Sequence, residues 1–262
     1  MARTYAKFAG ASYCLVDSMV RSWTCLGHCS GGTEGTEVAM LSTDSLTEIK
    51  YYVGVNHRLK AIILSIRGTL TPVNAIVDFS WVPLGMSDFP GIPKGTMAHA
   101  GFLVAALRIA GVTQQKLLEL ATKYPDYTVD FTGHSLGGAT AQLVALHFAS
   151  STSVPPSRVR IITYGAPRVG NPLFAKVIGS AGFKMLARVT FNNDPVPHLP
   201  PSNTGWLGWT VGRVRDMLGF KPRVTECQDS KCEDPNCANS RVPYLNLLMH
   251  LRAYDITFGP WC

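Results

Sequence analysis

One stretch of the sequence decides the fold: Thr132-Gly133-His134-Ser135-Leu136-Gly137-Gly138. It follows a strand-like run at 127–131, in which alternate residues are apolar, and it precedes a helix-prone run at 139–149. Glycines two positions to either side of Ser135 permit a strained turn that pushes the serine hydroxyl outward. The pattern therefore predicts a nucleophilic serine between a strand and a helix, where the first helical N–H groups favour negative charge.

Strands and helices alternate around that turn. The predicted strands are 49–55 and 61–66, which form a hairpin-like pair, 158–164 and 185–191. The predicted helices are 5–19, which contains Cys14, 98–123, which is interrupted near Gly111, 139–149 and 173–178, with a loop at 27–36. This alternation predicts a single α/β domain over 1–262, in which helices flank a mostly parallel central sheet. Catalytic groups are then expected at the carboxyl ends of the strands.

Composition excludes two classes of protein. With 46% hydrophobic and 16% charged residues, a chain of 262 residues can bury one large core. The net charge of +7 does not indicate a nucleic-acid-binding protein, because lysine and arginine are scattered and form no basic helix. No run of eighteen apolar residues occurs, so we expect no transmembrane segment.

The seven cysteines indicate an oxidising compartment. Cys25, Cys29 and a group at 227–237 lie in polar, turn-rich segments, where a buried thiol is not expected. Because the first residues do not form a signal peptide, we interpret the chain as the mature form of a secreted protein whose leader has been removed. Histidines at metal-ligand spacing are missing beside the cysteines, so we predict neither a metal site nor a cofactor.

A serine nucleophile needs a histidine base, and the histidine needs a carboxylate. Asp194 follows a predicted strand and stands in a proline-rich loop, although a turn-forming role is the alternative. His147 lies within the helix after the serine, and His198 is only four residues beyond Asp194. His250 fits the order serine, acid, histidine, although a lone histidine in an apolar run is more often a core residue. We therefore predict Ser135, Asp194 and His250 as the catalytic residues.

Two further segments bear on the reaction. The strand at 61–66 ends in Arg67-Gly68-Thr69-Leu70-Thr71-Pro72, where a loop can hold donors for an oxyanion or can be an ordinary glycine turn. The segment 71–84 that follows is unusually apolar for a connection, as in a mobile lid or a buried structural segment. The predicted lid or substrate-contact residues are Val73, Ile76, Val77, Phe79 and Trp81.

Several motifs together resemble the filamentous-fungal class 3 lipases. They are Phe-Thr-Gly-His-Ser-Leu-Gly-Gly-Ala (131–139), Tyr-Gly-Ala-Pro-Arg-Val-Gly-Asn (164–171), Asn-Asp-Pro-Val-Pro-His-Leu-Pro-Pro (193–201), His99-Ala100-Gly101-Phe102 and Arg67-Gly68-Thr69. The resemblance implies an α/β-hydrolase fold and a triad of Ser135, Asp194 and His250. It also implies an oxyanion hole formed by the backbone N–H groups of Thr69 and Leu136. By the same resemblance, Cys14 pairs with Cys262 and Cys25 with Cys29.

The chain departs from this pattern in two places. The segment after Thr69 lacks the Asn-Trp start common in the lids of fungal triacylglycerol lipases, and the turn at 67–72 is similar to that of sn-1-specific diacylglycerol lipases. The cysteine-bearing insert at 227–237 has no counterpart in the family pattern. The resemblance as a whole leads us to expect a monomeric hydrolase of tri-, di- or monoacylglycerols that acts at an oil–water or membrane interface.

Two other classes of function stay open. A soluble-substrate esterase, such as a feruloyl esterase, shares this fold and triad, and a non-catalytic lipid-binding protein would retain the fold alone. The aromatic and basic stretch that begins at Trp206 is read either as an interfacial docking surface or as a packed helix with a solvated basic face.

Overall fold

The fold is built on one large sheet, seen in the computed structural model, which describes residues 1–70, 82–191, 194–200 and 247–260. The strands are β1 (Thr36–Thr43), β2 (Lys50–Asn56), β3 (Ala61–Ile66), β4 (Pro83–Gly85), β5 (Met97–His99), β6 (Thr128–His134), β7 (Val159–Tyr164), β8 (Met185–Val189), β9 (Arg252–Ala253) and β10 (Ile256–Thr257). The helices are α1 (Ala2–Ala11), α2 (Asp17–Arg21), α3 (Ala100–Lys123), α4 (Leu136–Ser151), α5 (Pro172–Ser180) and α6 (Leu247–His250).

The large sheet has the strand order β1-β2-β3-β6-β7-β8. The first two pairings are antiparallel, and β2 and β3 form the predicted hairpin-like pair. The pairings β3–β6, β6–β7 and β7–β8 are parallel, so four neighbouring strands end at the same edge. The α/β class with a mostly parallel central sheet is therefore confirmed.

Helices cover both faces of the sheet. Because successive side chains of a strand point to opposite faces, β3 contributes to two cores. Ile62 and Leu64 pack in the core under α3 and α4, whereas Ile63 packs on the other side with Tyr5 and Phe8 of α1. All six residues of β3 are buried, as predicted for a strand covered on both faces.

Helix α4 lies at the centre of the molecule. It is mostly apolar, with no strongly polar face, and most of its residues are buried between the sheet and α3. A helix that is hydrophobic on every side is stable only inside a protein. The start of α4, which carries the serine turn, is consequently fixed by packing along the whole helix.

The predicted helix at 5–19 was wrong in its extent. Helix α1 ends at Ala11, and Cys14 lies in the connection to α2. The hydroxyl of Ser12 donates to the carbonyl oxygen of Ala9 at 2.7 Å, and such side-chain bonds compete with helix continuation. The carbonyl oxygen of Cys14 instead accepts a hydrogen bond from Lys50 Nζ at 2.6 Å.

Two other features differ from the prediction. Strand β1 was not predicted, because it is an edge strand with alternating exposed polar residues and an irregularity between Val38 and Met40. The interruption expected near Gly111 is absent, since α3 runs continuously past it. A single glycine lowers helix propensity without ending a long, well-packed helix.

None of the helices within the described part of the chain combines the length and the hydrophobicity that a bilayer span requires.

Two glycines in helices should respond oppositely to substitution by alanine. A Cβ at Gly111 would have no neighbour within 4 Å, so Gly111→Ala should raise the free energy of unfolding by about 0.5–1 kcal/mol. A Cβ at Gly137 would lie 2.1 Å from the carbonyl oxygen of Ile66. Gly137→Ala should therefore lower the free energy of unfolding by about 3 kcal/mol or more. Urea unfolding followed by circular dichroism measures both values. Equal effects of the two substitutions would contradict the close backbone contact.

Candidate active site

The candidate site lies at the carboxyl edge of the parallel strands. Ile66 at the end of β3 is in register with Gly133 of β6, and Tyr164 at the end of β7 is in register with His134 on one side and Val189 on the other. The loops that leave these strands are therefore neighbours. They carry Thr69, Ser135, Gly165 and Asp194, which are far apart in the chain.

Ser135 occupies the strained turn that the sequence predicts. Its backbone has φ 58° and ψ −131°, a conformation that non-glycine residues rarely adopt. A Cβ at Gly133 would lie 2.5 Å from the backbone of Gly137, so neither glycine position accepts a side chain. The N–H of Ser135 donates to the carbonyl oxygen of Tyr164 at 2.9 Å, which ties the turn to β7.

The loop after β3 lies against this turn. A Cβ at Gly68 would be 2.5 Å from the carbonyl oxygen of His134 and 3.1 Å from Cβ of Ser135. Thr69 is the next residue, and Leu136 is the first residue of α4. The N–H groups in the first turn of a helix have no intrahelical acceptor and carry partial positive charge. Backbone donors from two loops can therefore face a substrate oxygen beside Ser135.

Asp194 and His250 form a buried pair. Nδ1 of His250 lies 2.9 Å from Oδ2 and 3.0 Å from Oδ1 of Asp194. Almost no surface of either side chain is exposed, and Asp194 Oδ1 also accepts the N–H of Val196 at 2.9 Å. Because a carboxylate only accepts, the contact requires a proton on Nδ1, which leaves Nε2 of neutral His250 as the acceptor. Nε2 is buried and has no hydrogen-bond partner among the described residues.

The backbone at Gly165 packs closely against the Asp194–His250 pair. Its φ is +54°, and a Cβ there would lie 2.7 Å from Oδ2 of Asp194 and 3.0 Å from Nδ1 of His250. Only glycine fits at this position. Arg168, three residues on, holds the chain beyond the acid. Its backbone N–H donates to the carbonyl oxygen of Leu199 at 2.7 Å and its guanidinium to that of Pro200 at 2.6 Å.

The other two candidate histidines are placed elsewhere. His147 is in α4 and packs edge-on against the ring of Phe89. His198 ends a short 3₁₀ turn, and its carbonyl oxygen accepts from Arg168. Of the three histidines considered from the sequence, His250 is the one whose imidazole contacts Asp194.

Sequence reasoning missed three residues of the site: Gly165, Tyr13 and His134. Nδ1 of His134 lies 2.8 Å from the hydroxyl oxygen of Tyr13, and Nε2 lies 2.6 Å from the carbonyl oxygen of His250. Burial lowers the pKa of His134 well below its usual value, with a smaller contribution from the charge of His250. Burial likewise raises the pKa of the Tyr13 hydroxyl. Gly165 and His134 stand inside quoted motifs, but Tyr13 carries no motif that could have identified it.

The predicted lid or substrate-contact residues Val73, Ile76, Val77, Phe79 and Trp81 lie outside the described residues, as do Trp206 and the cysteine group at 227–237. The end of the predicted lid segment is described: Pro83 and Leu84 belong to β4, which pairs with β5. Leu70, Val82 and Leu84 expose large apolar side chains on either side of 71–81.

One predicted disulfide is confirmed. Cys25 and Cys29 are bonded across the 3₁₀ turn Leu26–Cys29. Cys14 is also disulfide-bonded, but its predicted partner Cys262 lies outside the described residues. Within the described ranges, no group of three or more histidine, cysteine, aspartate or glutamate side chains could hold a metal ion.

The chain is similar to fungal lipases. Residues 63–204 match the family described as Lipase (class 3). The lipase of Rhizopus oryzae is 32% identical over 256 residues, which cover 97% of this chain and 63% of that protein. The secreted mono- and diacylglycerol lipase A of Penicillium camembertii is 30% identical over 210 residues, covering 78% of this chain and 66% of the relative. The chain thus spans just under two thirds of the length of these relatives.

A solved structure shares the whole architecture. The triacylglyceride lipase of Rhizomucor miehei superposes with a TM-score of 0.83 at 27% identity, over 99% of this chain and 95% of that one.

The buried histidines should make the protein acid-sensitive. His134, His28 and His147 all have pKa values lowered mainly by burial, so the unfolded chain binds protons at these positions before the folded chain does. The free energy of unfolding should therefore fall as the pH drops below about 6.5, by at most about 1.4 kcal/mol per pH unit for each imidazole.

Urea unfolding at pH 7.5, 6.5 and 5.5 measures this dependence. His134→Gln removes one titrating group, so the slope should be shallower in the variant. An unchanged slope would contradict the view that folded His134 is neutral.

Proposed function

Since the chain belongs to the class 3 lipase family, we propose that it is a lipase that hydrolyses carboxylic esters of glycerol through an acyl-enzyme on Ser135. The observation that carries the proposal is the buried Asp194–His250 pair, whose unpartnered Nε2 lies at the same sheet edge as the strained turn of Ser135. The names of the relatives, lipase and mono- and diacylglycerol lipase, support acylglycerols as the substrates.

The first step is proton transfer to His250. Nε2 takes the proton of the Ser135 hydroxyl as Oγ bonds to the ester carbonyl carbon. Asp194 keeps the proton of His250 on Nδ1 and stabilises the imidazolium that forms. Because the pair is buried, its electrostatic attraction is screened less than it would be at the surface.

The carbonyl oxygen becomes negatively charged in this step. The backbone N–H groups of Thr69 and Leu136 are the proposed donors to it, and the start of α4 adds its partial positive charge. The tetrahedral intermediate then collapses, His250 returns the proton to the leaving alcohol, and the acyl group stays on Ser135. A water molecule repeats the two steps and releases the fatty acid.

We propose further that the protein is secreted and acts as a monomer at a lipid–water interface. The Cys25–Cys29 disulfide and the similarity to the secreted lipase of Penicillium camembertii support the compartment. The exposed apolar side chains of Leu70, Val82 and Leu84 support contact with lipid, since removal of apolar surface from water is favourable.

Replacement of the proposed nucleophile should abolish turnover. Ser135→Ala should leave only a residual acceleration of about 10³- to 10⁴-fold over water, because the donors to the oxyanion remain. Steady-state hydrolysis of p-nitrophenyl butyrate measures the loss. An organophosphonate should add to the peptide that contains Ser135, as detected by mass spectrometry, and should not label the variant at that peptide.

The matched control is Ser65→Ala. Ser65 is also a buried serine of the sheet region, but its hydroxyl donates to the carbonyl oxygen of Phe8, away from the site. This variant should keep its activity and its labelling. A parent protein that binds lipid but takes no label would indicate a non-catalytic lipid-binding protein.

A substrate panel tests the class of ester. We expect emulsified long-chain tri-, di- or monoacylglycerol to be hydrolysed at least about tenfold faster than methyl ferulate or a soluble short-chain ester, since an interface lowers the cost of exposing apolar surface. Ser135→Ala supplies the background rate for each substrate. Faster hydrolysis of the ferulate ester than of every acylglycerol would instead indicate a soluble-substrate esterase.

A further inference from the structure

His134 has no chemical role in the mechanism above, although it stands directly before Ser135. It is the last residue of β6, and its ring is buried between two others. The ring of Phe258 stacks on it at a centroid distance of 4.0 Å, and the ring of His250 lies 4.5 Å away. The imidazole therefore touches the proposed base directly.

The hydrogen bonds of His134 define its tautomer. The carbonyl oxygen of His250 can only accept, so the 2.6 Å contact requires a proton on Nε2 of His134. Burial keeps this imidazole neutral by lowering its pKa, so Nδ1 is an acceptor. The Tyr13 hydroxyl, 2.8 Å away, donates to it. With both nitrogens engaged, His134 cannot itself take the proton of Ser135.

Tyr13 connects this histidine to the loop after β3. A Cβ at Gly68 would lie 2.4 Å from the Tyr13 hydroxyl oxygen, and a hydrogen bond from the Gly68 backbone also acts on that hydroxyl. A continuous set of contacts thus runs from Gly68 through Tyr13 and His134 to the backbone of His250. It joins the two parts of the site that must approach the same substrate carbonyl.

The base has few other supports among the described residues. His250 ends α6, a helix of four residues, and its ring is held by Asp194 through Nδ1. A pivot at Nδ1 alone does not fix the direction of Nε2, which must meet the Ser135 hydroxyl. A second anchor on the backbone of the same residue removes that freedom. Misplacement by about 1 Å can cost about 10²-fold in rate.

We propose that His134 is a positioning residue for the base His250, and that Tyr13, by donating to Nδ1, stabilises the Nε2–H tautomer of His134 that the His250 carbonyl requires. The proposal rests on the proposed function, in which His250 is the base. The hydrogen bonds of His134 go to Tyr13 and to the backbone of His250, not to the proposed reacting atoms, so its removal should change the rate of the chemical step and leave substrate binding unchanged.

Kinetics of three variants on p-nitrophenyl butyrate test the proposal. His134→Leu should lower kcat about 100-fold with KM near the parent value, because it removes the anchor. His134→Gln, which has both a donor and an acceptor, should recover kcat to within about tenfold of the parent. Tyr13→Phe should lower kcat about tenfold. This smaller substitution still tests the proposal if His134→Leu does not fold.

Tyr52→Phe is the matched control. Tyr52 is equally buried under α1, and its hydroxyl donates to the carbonyl oxygen of Phe8 at 2.8 Å, away from the site. It should lower stability without lowering kcat. Equal kcat values for Tyr13→Phe and the parent, or equal losses in Tyr13→Phe and Tyr52→Phe, would overturn the proposal.

Imidazole ¹⁵N NMR gives a second readout that does not need activity, and the chain has only seven histidines to assign. His134 should be the Nε2–H tautomer in the parent and a mixture of tautomers in Tyr13→Phe. A parent with Nδ1–H at His134 would overturn the proposal. If the parent is neither active nor labelled at Ser135, the proposed function itself fails, whereas an active parent with unaffected variants refutes only the role of His134.

Discussion

The site depends on one close contact between two backbones, where the end of β3 passes the start of α4. The carbonyl oxygen of Ile66 lies so near Gly137 that a Cβ would be 2.1 Å away, and the same glycine also faces Gly133. Because no side chain separates the strand end from the helix, the loop at Gly68 reaches the backbone of the serine turn. Backbone groups from two distant parts of the chain therefore lie close to the serine turn, and the proposed oxyanion donors would come from these two segments.

Parallel pairing extends this arrangement across the sheet. Once Ile66 pairs with Gly133, and Tyr164 pairs with His134 and Val189, each following loop must start at the same edge. The acid loop after β8 is then fixed by hydrogen bonds from Arg168 rather than by regular structure. Through the Asp194–His250 contact, helix α6 is also held at this edge of the sheet. Burial of polar groups is costly unless each of them finds a partner, so the geometry of the site and its stability are linked.

The sequence predicts the parts of this structure that follow from local patterns. Alternation of strands and helices predicts the α/β class, and the glycines around Ser135 predict a strained turn, which the structure has as a positive φ at Ser135. The Cys25–Cys29 bond was predicted by resemblance alone and is confirmed. The end of α1 was missed because it depends on a local bond of Ser12 and on a long-range bond from Lys50 to the Cys14 carbonyl. The contact between Tyr13 and His134 could not be predicted, because the two residues are 121 positions apart and hydrophobic periodicity reports only local structure.

His134 shows why the variable position of a Gly-x-Ser-x-Gly pattern need not be free of constraint. The same strand end carries the nucleophile at 135 and the imidazole at 134 that holds the carbonyl of the proposed base. Any displacement of the end of β6 therefore moves the serine and the anchor of its base together. The serine turn thus positions the Ser135 hydroxyl, and in our proposal His134, the residue before it, positions the base His250.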